Sequence, residues 1–133
     1  MASITATVTR VGDTSTSEGI ARSHHVLIDR PETKGGLDRG PMGGELLLLA
    51  LGGCFMSNLI AAAKARDVVT ERLAVIVRGE LDDAPARFSA IDVEVDAGAS
   101  DPAMVDKLMT IAARGCIVHN TLAPGVKLSL RRA

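Results

Sequence analysis

The sequence is short of most residues that mark a function. It has no Trp, no Tyr and only two Phe, so aromatic platforms on which unpaired bases could stack are missing. An excess of either charge is missing too. Fifteen Lys and Arg oppose sixteen Asp and Glu, a formal net charge of −1, which leaves no global field to gather nucleic acid or an anionic membrane. Cysteine is limited to two residues, too few for a disulfide framework or a zinc ribbon. The opening residues, Met1-Ala2-Ser3-Ile4-Thr5, lack the basic start and apolar run of a secretory signal. The expected compartment is therefore the cytosol, with both thiols reduced, and neither nucleic acid nor membrane is an expected partner.

What is present is ordinary globular material. The chain has 133 residues, 47% hydrophobic and 23% charged, the size of a single domain over residues 1–133 with a core of its own. Its one long apolar run, Leu46 to Ala63, is eighteen residues without a charge, the minimum for a membrane span. That run contains Gly52, Gly53, Ser57 and Asn58, and amphipathic strands flank it. Those strands need an apolar element to cover them, so the run is read as a buried central helix.

Ile4 to Val11 and Gly19 to Asp29 read as one hairpin, turned at Gly12-Asp13-Thr14-Ser15. Arg30 to Gly44 is a long Gly- and Pro-rich loop of the kind that often carries function. The first helix is expected from Gly44 or Glu45 to Arg66, with Glu45 at its positive end and Lys64 and Arg66 at its negative end. Glu71 to Asp82 and Phe88 to Ala97 alternate as strands, with Leu73, Val75, Val77 and Leu81 on one face of the first. Ser100 or Asp101 caps a second helix that opens on Pro102 and breaks at Gly115, Cys116 to Leu122 is a short helical segment, and Val126 to Leu130 a last strand. The order ββ–α–ββ–α–α–β gives an α+β fold with antiparallel hairpins. Hairpins cannot cover every face of a helix apolar nearly all round, so a homodimer is expected.

The candidate chemistry lies with the two cysteines. On residues alone, both fit small buried hydrophobes as well as reactive thiols. Cys54 follows Gly52-Gly53, which clear space around its sulfur, and Cys116 opens the polar run Cys116-Ile117-Val118-His119-Asn120-Thr121-Leu122 just after a helix break. His119, with the cysteines and His24 or His25, is the alternative of a thiolate–imidazole zinc site, although adjacent residues on a strand face opposite sides.

The segment Pro41-Met42-Gly43-Gly44-Glu45-Leu46-Leu47-Leu48-Leu49-Ala50-Leu51-Gly52-Gly53-Cys54, together with Cys116 to Leu122, resembles the OsmC-like family, the osmotically inducible and organic hydroperoxide resistance proteins. The resemblance extends over nearly the whole chain. It implies an intertwined homodimer with antiparallel strands wrapped around central long helices. It also implies a thiol-dependent peroxidase for organic hydroperoxides and hydrogen peroxide, reset by an external dithiol, with no metal and no organic cofactor. Carried over, Cys54 is the peroxidatic thiolate and Cys116 the resolving thiol. In the family a guanidinium from before the first helix lowers the thiol pKa: here Arg39 is the first choice and Arg22 the second, and Arg10, Arg30 and Arg66 rank behind both. Glu45 matches the carboxylate that orients it. The chain departs from the peroxidase pattern at Gly44, where an acidic residue is usual, at Ile117, where Pro is usual, and in a first turn without Arg. Glu45 also lies nine residues before Cys54, about 180° around an ideal helix, which points it toward the helix terminus. These differences point to a separate branch. The alternative is a dimer of the same fold that binds a small apolar or electrophilic ligand without turnover.

Overall fold

Residues rich in Thr, Val and Ile open the chain, and the backbone there forms three short antiparallel strands, β1 Thr7–Arg10, β2 Ser17–Ala21 and β3 His24–Ile28, in the order β1-β2-β3. The computed structural model describes residues 2–125, which fall into two compact units, Met1–Leu47 and Leu48–Ala133. The expected strand from Gly19 to Asp29 is in fact split. Ala21 pairs with His24, so the chain reverses over Arg22-Ser23, and Arg22 takes a left-handed φ of 55°. That turn ordinarily selects Gly, Asn or Asp, and none of them marks it in the sequence.

The long loop after β3 is tied down from its start. Asp29 is buried, and its carboxylate accepts from Ser15 Oγ at 2.8 Å, Thr16 Oγ1 at 2.7 Å and the backbone N–H of Arg30 at 2.8 Å and Arg39 at 3.4 Å. Burial pushes its pKa up, but those four donors outweigh burial and hold the carboxyl far below the usual carboxylate range. Two glycines let the loop close. A Cβ on Gly36 would collide with the Arg30 carbonyl, and one on Gly40 with that of Leu27.

Helix α1, Gly43–Ala65, begins in the first unit and continues through the second. It is long and apolar enough to cross a membrane, yet Leu51, Phe55, Leu59, Ala62 and Ala63 form one buried stripe at helical spacing. In the second unit that stripe packs with Leu108, Ala112 and Cys116, against Val75, Val77, Ile91, Val93 and Val95. The strands are β4, Ala74–Asp83, and β5, Ala86–Asp96, an antiparallel hairpin in which Val75 faces Val95 and Val77 faces Val93. Gly52 permits the close approach of helix to sheet, since a Cβ there would stand 3.1 Å from Val77 Cγ2. The pairing slips between Glu80 and Leu81, and from there to Arg87 every residue is exposed. Leu81, expected on the inner face, is 67% exposed because the tip of the hairpin runs past the core.

Helix α2, Pro102–Gly115, opens on the expected proline and buries Leu108 and Ala112. Helix α3 is Ile117–Leu122. The strand expected from Val126 to Leu130 lies outside the described residues. The observed α+β class matches the expectation.

Candidate functional site

A single residue, Cys116, separates α2 from α3, and the sharp reversal there builds the site. Gly115 ends α2, the backbone of Cys116 is extended, and the chain re-enters a helix at Ile117. Amides in the first turn of a helix have no intrahelical acceptor. One of them, His119 N–H, donates to Cys116 Sγ at 3.4 Å, so the thiol caps α3. The next amides also act on the sulfurs: Ile117 N–H on Cys54 of α1, and Val118 N–H on both Cys54 and Cys116.

The structure therefore brings the two cysteines together. Burial raises the pKa of the Cys54 thiol, but Val118 N–H, the Cys116 thiol and Ile117 N–H donate to its sulfur and together bring the pKa below that of an ordinary cysteine. Cys116 moves the opposite way. Burial pushes it up, His119 N–H and, less, Val118 N–H pull against burial, and serving as donor to the neighbouring Cys54 thiolate, with the charge of that thiolate, raises it further. The two thiols titrate as a coupled pair, and their surroundings favour the thiolate at Cys54. Cys116 is 0% exposed whereas Cys54 is half-buried, so the more acidic cysteine is also the less buried one. Asn58, one turn beyond Cys54, donates from Nδ2 to Cys54 O at 2.9 Å and stands 3.9 Å from Cys54 Sγ.

The other expected site residues lie in the first unit. Glu45 accepts from Met42 N–H at 2.9 Å, so its carboxylate closes the start of α1 in the manner of a capping box. Arg39 uses its backbone N–H on Asp29, and Arg22 occupies the β2–β3 turn; both are exposed, and neither guanidinium forms an ion pair among the described residues. His25 pairs with Glu18 at 3.4 Å, and the His119 ring lies 3.5 Å from Asn120 Oδ1. Among the described residues no group of three or more potential ligands converges on a metal position.

Sequence reasoning missed Asn58 and the amides of Ile117 and Val118. The helix break at Gly115 was a signal for free amides after it. Nothing in the sequence said where they would aim. Beside α3 in the second unit opens a largely apolar cavity of about 320 Å³, lined by Leu51, Phe88, Ile91, Val93, His119 and Leu122 among others.

A family model described as OsmC-like protein matches residues 35–131. No curated protein matches the sequence. Solved structures do. A hypothetical protein from Aquifex aeolicus VF5 superposes with a TM-score of 0.78 at 14% identity, over 93% of this chain and 89% of that one. An OsmC-like protein from Mycoplasma pneumoniae gives 0.78 at 19% identity, over 92% and 88%. An organic hydroperoxide resistance protein from Elizabethkingia anophelis gives 0.65 at 19% identity, over 90% and 87%. These identities carry the fold, and the matched span holds Cys54, Cys116, Ile117 and Val118. By that match the chain belongs to the OsmC-like protein family.

Proposed function

We propose that the protein is a thiol-dependent peroxidase that reduces organic hydroperoxides, and hydrogen peroxide, through Cys54 as the peroxidatic and Cys116 as the resolving cysteine. The observation that carries this reading is the apposition of two thiols in unlike surroundings, Cys116 buried and Cys54 only half-buried, with pKa values shifted in opposite directions. The Cys54 thiolate attacks the terminal oxygen of the hydroperoxide. The O–O bond breaks, an S–O bond forms, and the alkoxide takes a proton to leave as alcohol. Cys116 sulfur then attacks the sulfenic sulfur, so that the S–S bond forms as the S–O bond breaks and hydroxide leaves as water with the Cys116 proton. An external dithiol reduces the disulfide by exchange and is itself oxidised to a disulfide.

The relative from Elizabethkingia anophelis, named for organic hydroperoxide resistance, supports the substrate class. A guanidinium remains the further stabiliser of the thiolate in this reading, Arg39 before Arg22, with Glu45 as its orienting partner. We place the protein in a reducing cytosol as an intertwined homodimer. Leu49 and Ile60 of α1 are 61% and 52% exposed, and a partner subunit covers such apolar area. Sedimentation from micromolar to nanomolar concentration tests the dimer, and a folded 13.8 kDa species refutes it.

The test of function is a thiol count. Reduced protein mixed with cumene hydroperoxide loses two thiols per chain within minutes and regains them with a dithiol. No loss favours the second reading, a non-catalytic dimer that holds a small apolar or electrophilic ligand, for which the cavity beside α3 is the specific support.

A further inference from the structure

We propose that Asn58 is a positioning residue for the Cys54 thiolate, its carboxamide bridging Cys54 O and Sγ, and that position 115 is glycine to admit that carboxamide. The inference rests on Cys54 being the reactive thiol.

Asn58 is held from both ends. Its Nδ2 carries two hydrogens: one reaches Cys54 O at 2.9 Å, and the sulfur of the same residue lies 3.9 Å away as an acceptor for the other. Only the amide nitrogen can donate to a carbonyl, so the orientation of the carboxamide is settled, and Oδ1 must point the opposite way. There it meets Gly115: a Cβ on that residue would stand 2.7 Å from Oδ1, closer than the two can approach.

The choice of residues makes sense only together. Asn is a weak helix former and Gly weaker still, yet Asn58 is in the interior of α1 and Gly115 in the last turn of α2. Gly115 is not among the residues with positive φ, so its backbone conformation does not demand glycine. Steric room for Asn58 is the remaining requirement. Ser57, next along the helix, offers the contrast. It makes the common bond back to a carbonyl four residues earlier, Gly53 O at 3.0 Å, on an exposed face. Asn58 makes the same bond and adds the sulfur. The carboxamide thereby adds a side-chain N–H donor to the main-chain amides that act on the Cys54 sulfur.

Two variants and one readout besides peroxide test this. The rate at which iodoacetamide alkylates Cys54, followed by peptide mass spectrometry across pH, reports its thiolate directly. Asn58→Ala should move the profile to higher pH, so that alkylation at acidic pH slows about threefold to tenfold. Gly115→Ala should move it the same way by a smaller factor as the new methyl displaces the carboxamide. An unchanged profile in either variant overturns the proposal. Should Asn58→Ala fail to fold, the Gly115→Ala profile decides alone. A wild-type protein that consumes no cumene hydroperoxide refutes the peroxidase reading and leaves the alkylation comparison intact.

Discussion

Around Asp29, the first unit buries a carboxylate and the hydroxyl of Thr16; around Leu59, the second buries a cluster of aliphatic side chains, one Phe and a thiol. Among the described residues every buried hydrophobic side chain belongs to the second unit. The first exposes its apolar residues instead: Val8 at 60%, Val26 and Leu27 at 41% each. One region is thus ordered by directional hydrogen bonds to a single charge, and the other by packing. The difference teaches where each kind of perturbation will act. Loss of volume or an added charge should damage the second unit, and protonation should damage the first. Both cysteines belong to the packed unit, where the amides of Ile117 and Val118 favour the thiolate of Cys54.

The largest effect expected within the packed unit is chemical. Cys54→Ser should reduce peroxide consumption to background. Cys116→Ser should still react once and stop at a sulfenic acid that dimedone traps at Cys54. Dimedone on Cys116 in the reciprocal variant reverses the assignment of the two roles.

Next comes packing. Leu59 is 2% exposed at the centre of the buried stripe. Leu59→Glu should prevent folding outright, because no cation faces it within the cluster. Leu59→Ala should cost about 2–5 kcal/mol by denaturant titration. Val8→Ala, at a 60% exposed position of the first unit, removes comparable hydrocarbon and should cost far less in the isolated subunit. Equal losses at the two positions would mean that the sheet of the first unit is covered by a partner and is as well packed as the core, which would sharpen the case for an obligate dimer.

How much of this was legible depended on whether a feature is encoded by a pattern or by a contact. The strands β4 and β5 and the helix α2 were readable because alternation, Pro102 and Gly115 are local signals. The β2–β3 turn was not, because Arg22-Ser23 carries no turn signature although Arg22 takes a left-handed φ. Cys54 and Cys116 were readable as a pair only through the family resemblance; they are 62 positions apart in sequence, 116 − 54, and no periodicity joins them. The donors that lower the Cys54 pKa are mostly main-chain amides, which every residue possesses and no sequence distinguishes.

A third effect separates the units by pH. Asp29 has a folded pKa held far below its unfolded value of about 4. A group with a depressed folded pKa contributes stability above its unfolded value and loses it as the pH falls through the folded one. Order in the first unit should therefore weaken only in acid below about pH 4, ahead of the second unit, and hydrogen exchange at Arg30 and Arg39 N–H should report it. Asp29→Asn keeps the shape but offers one acceptor oxygen where two are used. It should destabilise the first unit at neutral pH and flatten that acid response. An acid response unchanged in Asp29→Asn would assign it to other carboxylates.

The smallest expected effect asks whether the two means of stabilisation meet at the thiol. Arg39 and Arg22 belong to the unit ordered by hydrogen bonds, and both guanidinium groups are exposed. If Arg39 stabilises the Cys54 thiolate, Arg39→Ala should raise the titration midpoint read at 240 nm and slow oxidation, and Arg22→Ala should do so less. The shift should be modest, because Val118 N–H, the Cys116 thiol and Ile117 N–H already offset burial without any cation. Salt distinguishes the two sources. A guanidinium acting through solvent loses its influence as the Debye length contracts to about 3 Å in molar salt, whereas short hydrogen bonds from fixed amides do not. Wild-type Cys54 should then titrate at higher pH in molar salt, and Arg39→Ala should respond less. Identical titrations in wild type and both variants, at low and high salt, would assign the whole stabilisation to the α3 amides and their neighbours.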